Sequence, residues 1–365
     1  MMGLVADGNA HFMNRKKTRQ VMIGNVGIGG DNPVRVQSMT NTDTRDVRAT
    51  LDQINQLVLA GCELVRVAVP DAPAASRLKE IIAGSPVPVV ADIHFDHRLA
   101  LKSIEAGING LRLNPGNIGD QSRVNRVVDA AKSNIIPIRI GVNSGSVDKT
   151  ILKKYGGPTP EAMVESAMGH IRMLEDRGFE LIKISLKSSS VLGTIEAYRL
   201  MADQRDYPLH IGITEAGTPM RGAVKSGVGL GVLLYQGLGD TLRVSLTGDP
   251  VNEMPVAWEI LRSLGLRQRG PDIISCPTCG RTEIDLTAMA EAVEKKLRNI
   301  EKVFTVAIMG CVVNGPGEAR EADIGLAGGR DCGIIFKKGE MVKKVKGGEL
   351  LSEFMRELDE YLRLT

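Results

Sequence analysis

Cys276 and Cys279 stand three positions apart in a Cys-Pro-Thr-Cys turn, Cys311 follows after a helix-sized gap, and Glu318 lies seven residues further on. Thiolates are soft donors, and clustered ones select zinc, copper(I) or iron–sulfur clusters over magnesium or calcium. Three thiolates with one carboxylate differ from a closed four-thiolate site, because the oxygen donor can leave and open one metal to a substrate. A CxxC pair can also be half of a zinc knuckle or a redox couple. A second CxxC, as in a zinc ribbon, does not occur; the only cysteine after Cys311 is Cys332. Gly310, Gly315 and Gly317 flank Asn314 and Glu318 in a stretch suited to close approach of backbone to a cofactor. The spacing favours iron–sulfur over zinc, with a disulfide or chance cluster as the third alternative. Cys62, just after a glycine helix stop, reads as a buried core thiol.

The elements that must position this chemistry recur in a rhythm. Strand-like runs start near Val34, Glu63, Val87, Gly110, Pro137, Leu181, Leu209 and Thr241, with helical patterns between them. Gly61, Gly107 and Gly178 stand where helices need a left-handed stop. Eight β-then-α units predict an α/β chain with an N-terminal (β/α)8 TIM barrel; an open doubly wound sheet is the alternative, less favoured without a dinucleotide fingerprint. Six runs carry a cation between apolar neighbours: Arg35, Arg66, Arg112, Arg139, Lys183 and Arg243. Side chains alternate along a strand, so Val65, Val67, Ile138 and Ile140 packing outward would point Arg66 and Arg139 inward. Asp92, His94, Asn143 and Ser245 share that inward parity, and Asn114, Asn143 and Glu215 lie at C-terminal strand ends, where barrel active sites form. Some cations would pair with Asp92 and Glu215 as a structural network, Arg35 first among them. The rest form an excess too costly to bury alone. Arginine forks suit phosphate oxygens, which predicts a small, multiply phosphorylated substrate.

Composition narrows the classes. The 365-residue chain has a formal net charge of +3 and 3% aromatic residues, which argues against nucleic acid as a partner. No apolar run suits a membrane span, residues 1–19 lack the apolar core of a signal peptide, and five cysteines with three clustered fit a reducing cytoplasm. The expected division is a substrate-binding barrel over 1–266 and a smaller α/β iron–sulfur domain over 267–365, with a linker near Gly270 and Pro271. That domain is expected to contain a strand ending at Cys276, a helix from Leu286 to Ile300, a strand before Gly310, short strands near Ile324 and Ile334, and a last helix from Glu349 to Leu362. The stretch Gly227–Gly231 lacks the spacing of a phosphate loop and reads as close helix packing.

Seven motifs then carry a resemblance over nearly the whole chain: VQSMTNT (36–42), VADIHFD (90–96), LRLNPGNIG (111–119), IRIGVNSGS (138–146), GITEAG (212–217), CPTCGR (276–281) and GCVVNGPGEA (310–319). The chain resembles the 4-hydroxy-3-methylbut-2-enyl diphosphate synthase family, in its shorter two-domain form. The resemblance implies a [4Fe–4S] cluster on Cys276, Cys279, Cys311 and Glu318. It implies reductive ring opening and dehydration of 2-C-methyl-D-erythritol 2,4-cyclodiphosphate in isoprenoid biosynthesis, by two one-electron steps with Glu318 as an exchangeable ligand. It puts substrate binding on Arg66, Arg112, Arg139, Asn143, Lys183 and Ser245, to which His94 and Asn314 are added. Glu215 is the candidate proton handler. A homodimer is implied, and flavodoxin or ferredoxin are both candidate electron donors. Cys332 matches no ligand of the family. Three other readings compete: a zinc lyase or hydrolase, awkward with five histidines; a pterin-binding transferase, which leaves the cysteines idle; and an iron–sulfur sensor that binds without turnover.

Overall fold

The computed structural model describes residues 15–311 and 319–364. The chain divides into two compact units between Arg267 and Gln268.

In the first unit, a hairpin of β1 (Val21–Ile23) and β2 (Val26–Ile28) precedes eight strands: β3 (Arg35–Met39), β4 (Leu64–Ala68), β5 (Val89–Asp92), β6 (Gly110–Leu113), β7 (Ile138–Asn143), β8 (Ile182–Lys187), β9 (His210–Ile211) and β10 (Thr241–Leu242). The strands pair in parallel in the order β8-β7-β6-β5-β4-β3-β10-β9. A single bridge from Ile184 to Leu209 closes β8 onto β9, with the Ile184 N–H donating to Pro208 O at 2.9 Å. All eight expected strands form, and the barrel replaces the open-sheet alternative. Helices follow the strands, and short polar side chains start them: Asp46 accepts from Ala49 N, Asp71 from Ala74 N, Asp120 from Arg123 N and Ser190 from Gly193 N. Gly61 and Gly107 stop helices at positive φ, 101° and 85°, which a side chain would strain.

The outward strand residues Val65, Val67, Ile138, Ile140, Ile182 and Ile184 are fully buried in one core with the helices. The alternation therefore turns Arg66, Arg112, Arg139 and Lys183 into the barrel. The β1–β2 hairpin was not foreseen, since its strands are three residues long and carry no sustained alternation. Its Ile23 and Ile28 pack on Leu64 and Val90 at the N-terminal strand ends, the end opposite a barrel's active site.

The second unit is a five-stranded sheet in the order β11 (Asp272–Ser275), β12 (Thr305–Met309), β13 (Ile324–Ala327), β14 (Cys332–Lys337), β15 (Glu340–Lys346). The first three are parallel and the last two antiparallel. Helices Leu286–Leu297 and Leu350–Leu364 bury Leu286, Val293, Phe354 and Leu358 against Val306, Ile308, Ile324 and Leu326. The strand β15 escaped sequence reading: it is exposed except at Val345, and Lys343, Lys344 and Lys346 give it the charge of a protected edge.

Candidate active site

The barrel interior is a cluster of cations with too few acids. Asp92 receives Arg112 at 3.0 Å and Arg66 at 3.4 Å. Burial opposes its ionisation, but Arg66, the neighbouring His94 ring, Arg112 and Arg139 outweigh it and hold the carboxyl far below the usual range. Arg66 also rests its Nε and Nη2 on Met39 Sδ at 3.1 and 3.0 Å; burial, with Arg243 and Arg112 nearby, pulls it down to about 10. Arg112 reaches His94 Nε2 at 3.2 Å. It can lie across β7 because Gly141 is there; a Cβ would stand 2.8 Å from Arg112 Nε.

Glu215 was the second acid expected to balance these charges. The structure puts Glu253 in that role instead: its carboxylate takes Arg243 at 3.1 Å and Ser38 Oγ at 2.8 Å. Glu253 begins the helix Glu253–Ser263 and comes inward from outside any strand pattern, so alternation could not find it. Glu215 is exposed just beyond β9, with φ at +52°. A non-glycine residue there costs roughly 1–2 kcal/mol, and such strain gathers at functional sites. Arg35 is structural, as expected; it pairs with Glu63 at 2.8 Å, which also takes Arg267 at 2.6 Å. Asn114 is buried as the cap of Pro115–Ile118, accepting from Gly116 N.

That leaves Arg139, Lys183 and Lys187 inside with no carboxylate within ion-pair reach among the described residues. Arg139 is 4% exposed, and its Nε and Nη1 have no partner. Lys183 and Lys187 are both buried, and burial followed by neighbouring arginines drives both well below the ordinary lysine range. Their heights differ. Lys183 stands at the N-terminal part of β8 and lines a small cavity with Ile23, Gln37 and Pro137. Lys187 stands at the C-terminal end, in register with Asn143. Sequence reasoning chose Lys183 and passed over Lys187, although both share a parity. Asn143 and Ser245 are half-buried at the same strand ends, and His94 is exposed beside Asp92.

In the second unit, Cys276 follows β11 and Cys311 follows β12, so adjacent parallel strands deliver both thiols to one sheet edge. Gly310 N–H donates to Cys276 Sγ at 3.2 Å. Cys279 is exposed, and hydrogen bonds from the Arg281 backbone and side chain lower its pKa. Among the described residues, no three His, Cys, Asp or Glu side chains are gathered closely enough to hold a metal ion. Asn314 and Glu318 lie outside the described residues. The donor chemistry of the three thiols, two of them on adjacent strand ends, fits a soft-metal cluster.

Comparison with known proteins gives two family matches, the GcpE TIM-barrel domain over residues 18–258 and the GcpE protein C-terminal domain over 272–360. A Maridesulfovibrio salexigens protein named 4-hydroxy-3-methylbut-2-en-1-yl diphosphate synthase (flavodoxin) is 68% identical over 353 residues, 96% of this chain and 99% of its own. Proteins of the same name from Geobacter sulfurreducens and Clostridium acetobutylicum are 61% and 58% identical, over 95% of this chain and 99% of theirs in both cases.

Proposed function

The chain belongs to the GcpE family, and we propose that its barrel interior is the diphosphate site of that family's reductive ring opening. The reaction converts 2-C-methyl-D-erythritol 2,4-cyclodiphosphate to 4-hydroxy-3-methylbut-2-enyl diphosphate in the methylerythritol phosphate pathway, and the chain is an iron–sulfur oxidoreductase. The zinc, pterin and sensor readings fall with that membership.

The observation that carries the site is the surplus of buried cations. Arg139 and Lys187 lack carboxylate partners among the described residues, and an unpaired buried ion costs several kcal/mol. A diphosphate offers the missing charge. In this reading Arg66, Arg112 and Arg139 bind phosphate oxygens from the strands, Lys187 adds a point charge, and Asn143, Ser245 and His94 orient the substrate at the mouth. Lys183, first expected among the contacts, acts from beneath through its field. Asn314 remains a substrate-side candidate in the cysteine loop. These groups stand fixed before charge develops on the released diphosphate, so stabilising it needs no reorganisation.

Cys276, Cys279, Cys311 and Glu318 would hold a [4Fe–4S] cluster, which when bound supplies electrons one at a time and a Lewis-acidic iron. Glu318 is the hard, exchangeable donor among soft ones. Glu215, in its strained mouth conformation, hands on the proton that lets the hydroxyl leave as water. Flavodoxin, carried in the relatives' names, is the electron donor of this reading, and ferredoxin is set aside. No helix among the described residues is long and apolar enough to cross a membrane, which supports a cytoplasmic site. A homodimer is supported by the exposed stripe Met220, Val224, Val228 and Tyr235 along the helix Pro219–Tyr235.

Replacing Arg139 tests the site. Arg139→Met should weaken binding of inorganic pyrophosphate about tenfold or more by calorimetry, while the iron content stays that of the parent. Unchanged affinity would remove the barrel interior as the diphosphate site.

A further inference from the structure

Lys187 does not simply project to solvent. Its Nζ passes over Gly212, just after β9, where a Cβ would stand 2.6 Å away, and meets His210 Nε2 at 3.3 Å. His210 Nδ1 in turn lies 2.8 Å from Thr241 Oγ1 on β10. His210 and Thr241 are fully buried. We propose that His210 is a positioning residue: its Nε2 lone pair, with Nδ1–H given to Thr241, anchors the Lys187 ammonium for the diphosphate across the β8–β9 seam. The inference rests on the barrel interior being the diphosphate site.

With Lys187 charged, the chemistry leaves one tautomer. An ammonium has three donors and no acceptor, so the bond requires a bare Nε2 and puts the histidine proton on Nδ1. An imidazolium could not accept at all. Burial, then Arg139, Lys187, Lys183 and Arg66, press His210 well below its ordinary pKa and keep it neutral. The bond also crosses the weakest seam of the barrel, where one bridge joins β8 to β9. The Tyr198 hydroxyl braces the same seam, accepting from Leu186 N and donating to His210 O. With its own strand's Lys183, Lys187 shares the interior with Arg66 on β4, Asp92 on β5, Arg112 on β6, Arg139 on β7, Arg243 just after β10 and Glu253 from the following helix. Among so many cations, losing its acceptor favours the uncharged amine.

The test measures pyrophosphate and cyclic diphosphate affinity of the full-length protein by calorimetry. Asparagine reaches only the Nδ1 position, whereas glutamine places an oxygen near Nε2. His210→Asn should weaken both ligands about tenfold at alkaline pH and clearly less at acidic pH, where Lys187 regains its proton. His210→Gln should stay close to the parent. In a Lys187→Met background, His210→Asn should add no further loss. Thr241→Val, which keeps the side-chain shape, should shift the pH profile in the same direction by less. A His210→Asn loss equal at both pH values and undiminished beside Lys187→Met would overturn the role, as would a glutamine no better than asparagine. If Lys187→Met alone leaves both affinities unchanged, the diphosphate reading of the barrel fails first.

Discussion

Arg139 and Glu215 carry opposite kinds of cost at the scale of single residues. Arg139 has its Nε and Nη1 buried without partners, so the ligand-free protein bears the cost of an uncompensated charge. Arg139→Met should therefore leave the melting temperature of the free protein unchanged or higher even as pyrophosphate binding is lost. Glu215 bears a backbone cost instead, at φ +52°. Glu215→Gly should raise stability by up to roughly 1 kcal/mol, and Glu215→Gln should leave it level. Both should lose most turnover of the cyclic diphosphate while still binding it. Full turnover in the glutamine variant would remove Glu215 as the proton handler. At this scale the sequence was most informative where alternation speaks: Arg66, Arg112 and Arg139 point inward because their neighbours are apolar. It did not separate Lys183 from Lys187, since parity states a face and not a height. Height follows from strand stagger, which a single strand does not encode.

At the scale of elements, the barrel makes room for its cations by leaving side chains out. Gly141 faces Arg112 Nε, where a Cβ would lie at 2.8 Å. Gly141→Ala should push Arg112 off Asp92 and weaken pyrophosphate about tenfold; an unchanged affinity would show that the guanidinium has slack. A second element contact titrates. His170, on the helix Pro160–Glu175, is half-buried with its Nδ1 inside and unpartnered, and desolvation pulls it down to about 4 against a smaller upward pull from Asp148. A histidine lowered on folding binds fewer protons folded than unfolded, so stability rises with pH between about 4 and 6.5. From pH 6.5 to 4 the parent should lose up to roughly 3 kcal/mol through this group, and His170→Gln should flatten that part of the curve in denaturant titrations. The eight barrel strands and the glycine stops were legible because periods of two and 3.6 are local. The β1–β2 hairpin, the edge strand β15 and the inward Glu253 were not. The hairpin and Glu253 depend on partners far away in sequence, Leu64 and Val90 for one and Ser38 for the other, while β15 pairs with its neighbour β14 but shows an exposed, lysine-rich run without alternation.

The whole molecule joins two self-contained units with different chemistry. The barrel concentrates charge inside a chain whose formal net charge is only +3, so its affinity for a diphosphate comes from placement and not from bulk electrostatics. The second unit brings Cys276 and Cys311 to neighbouring strand ends, with Cys279 exposed three residues after Cys276. Neither unit accounts for reductive ring opening alone: among the described residues the first gathers no cysteines at its cationic interior, and the second holds no comparable nest of arginines. In the proposed function, three thiols and Glu318 hold a cluster that serves the barrel's substrate. The most direct test is iron and acid-labile sulfide in anaerobically purified protein, read with the paramagnetic resonance of the reduced protein before and after adding the cyclic diphosphate. About four irons and four sulfides per chain, with a signal that shifts on adding substrate, is the predicted result. Stoichiometric zinc without sulfide, or a cluster signal indifferent to the cyclic diphosphate, would contradict it.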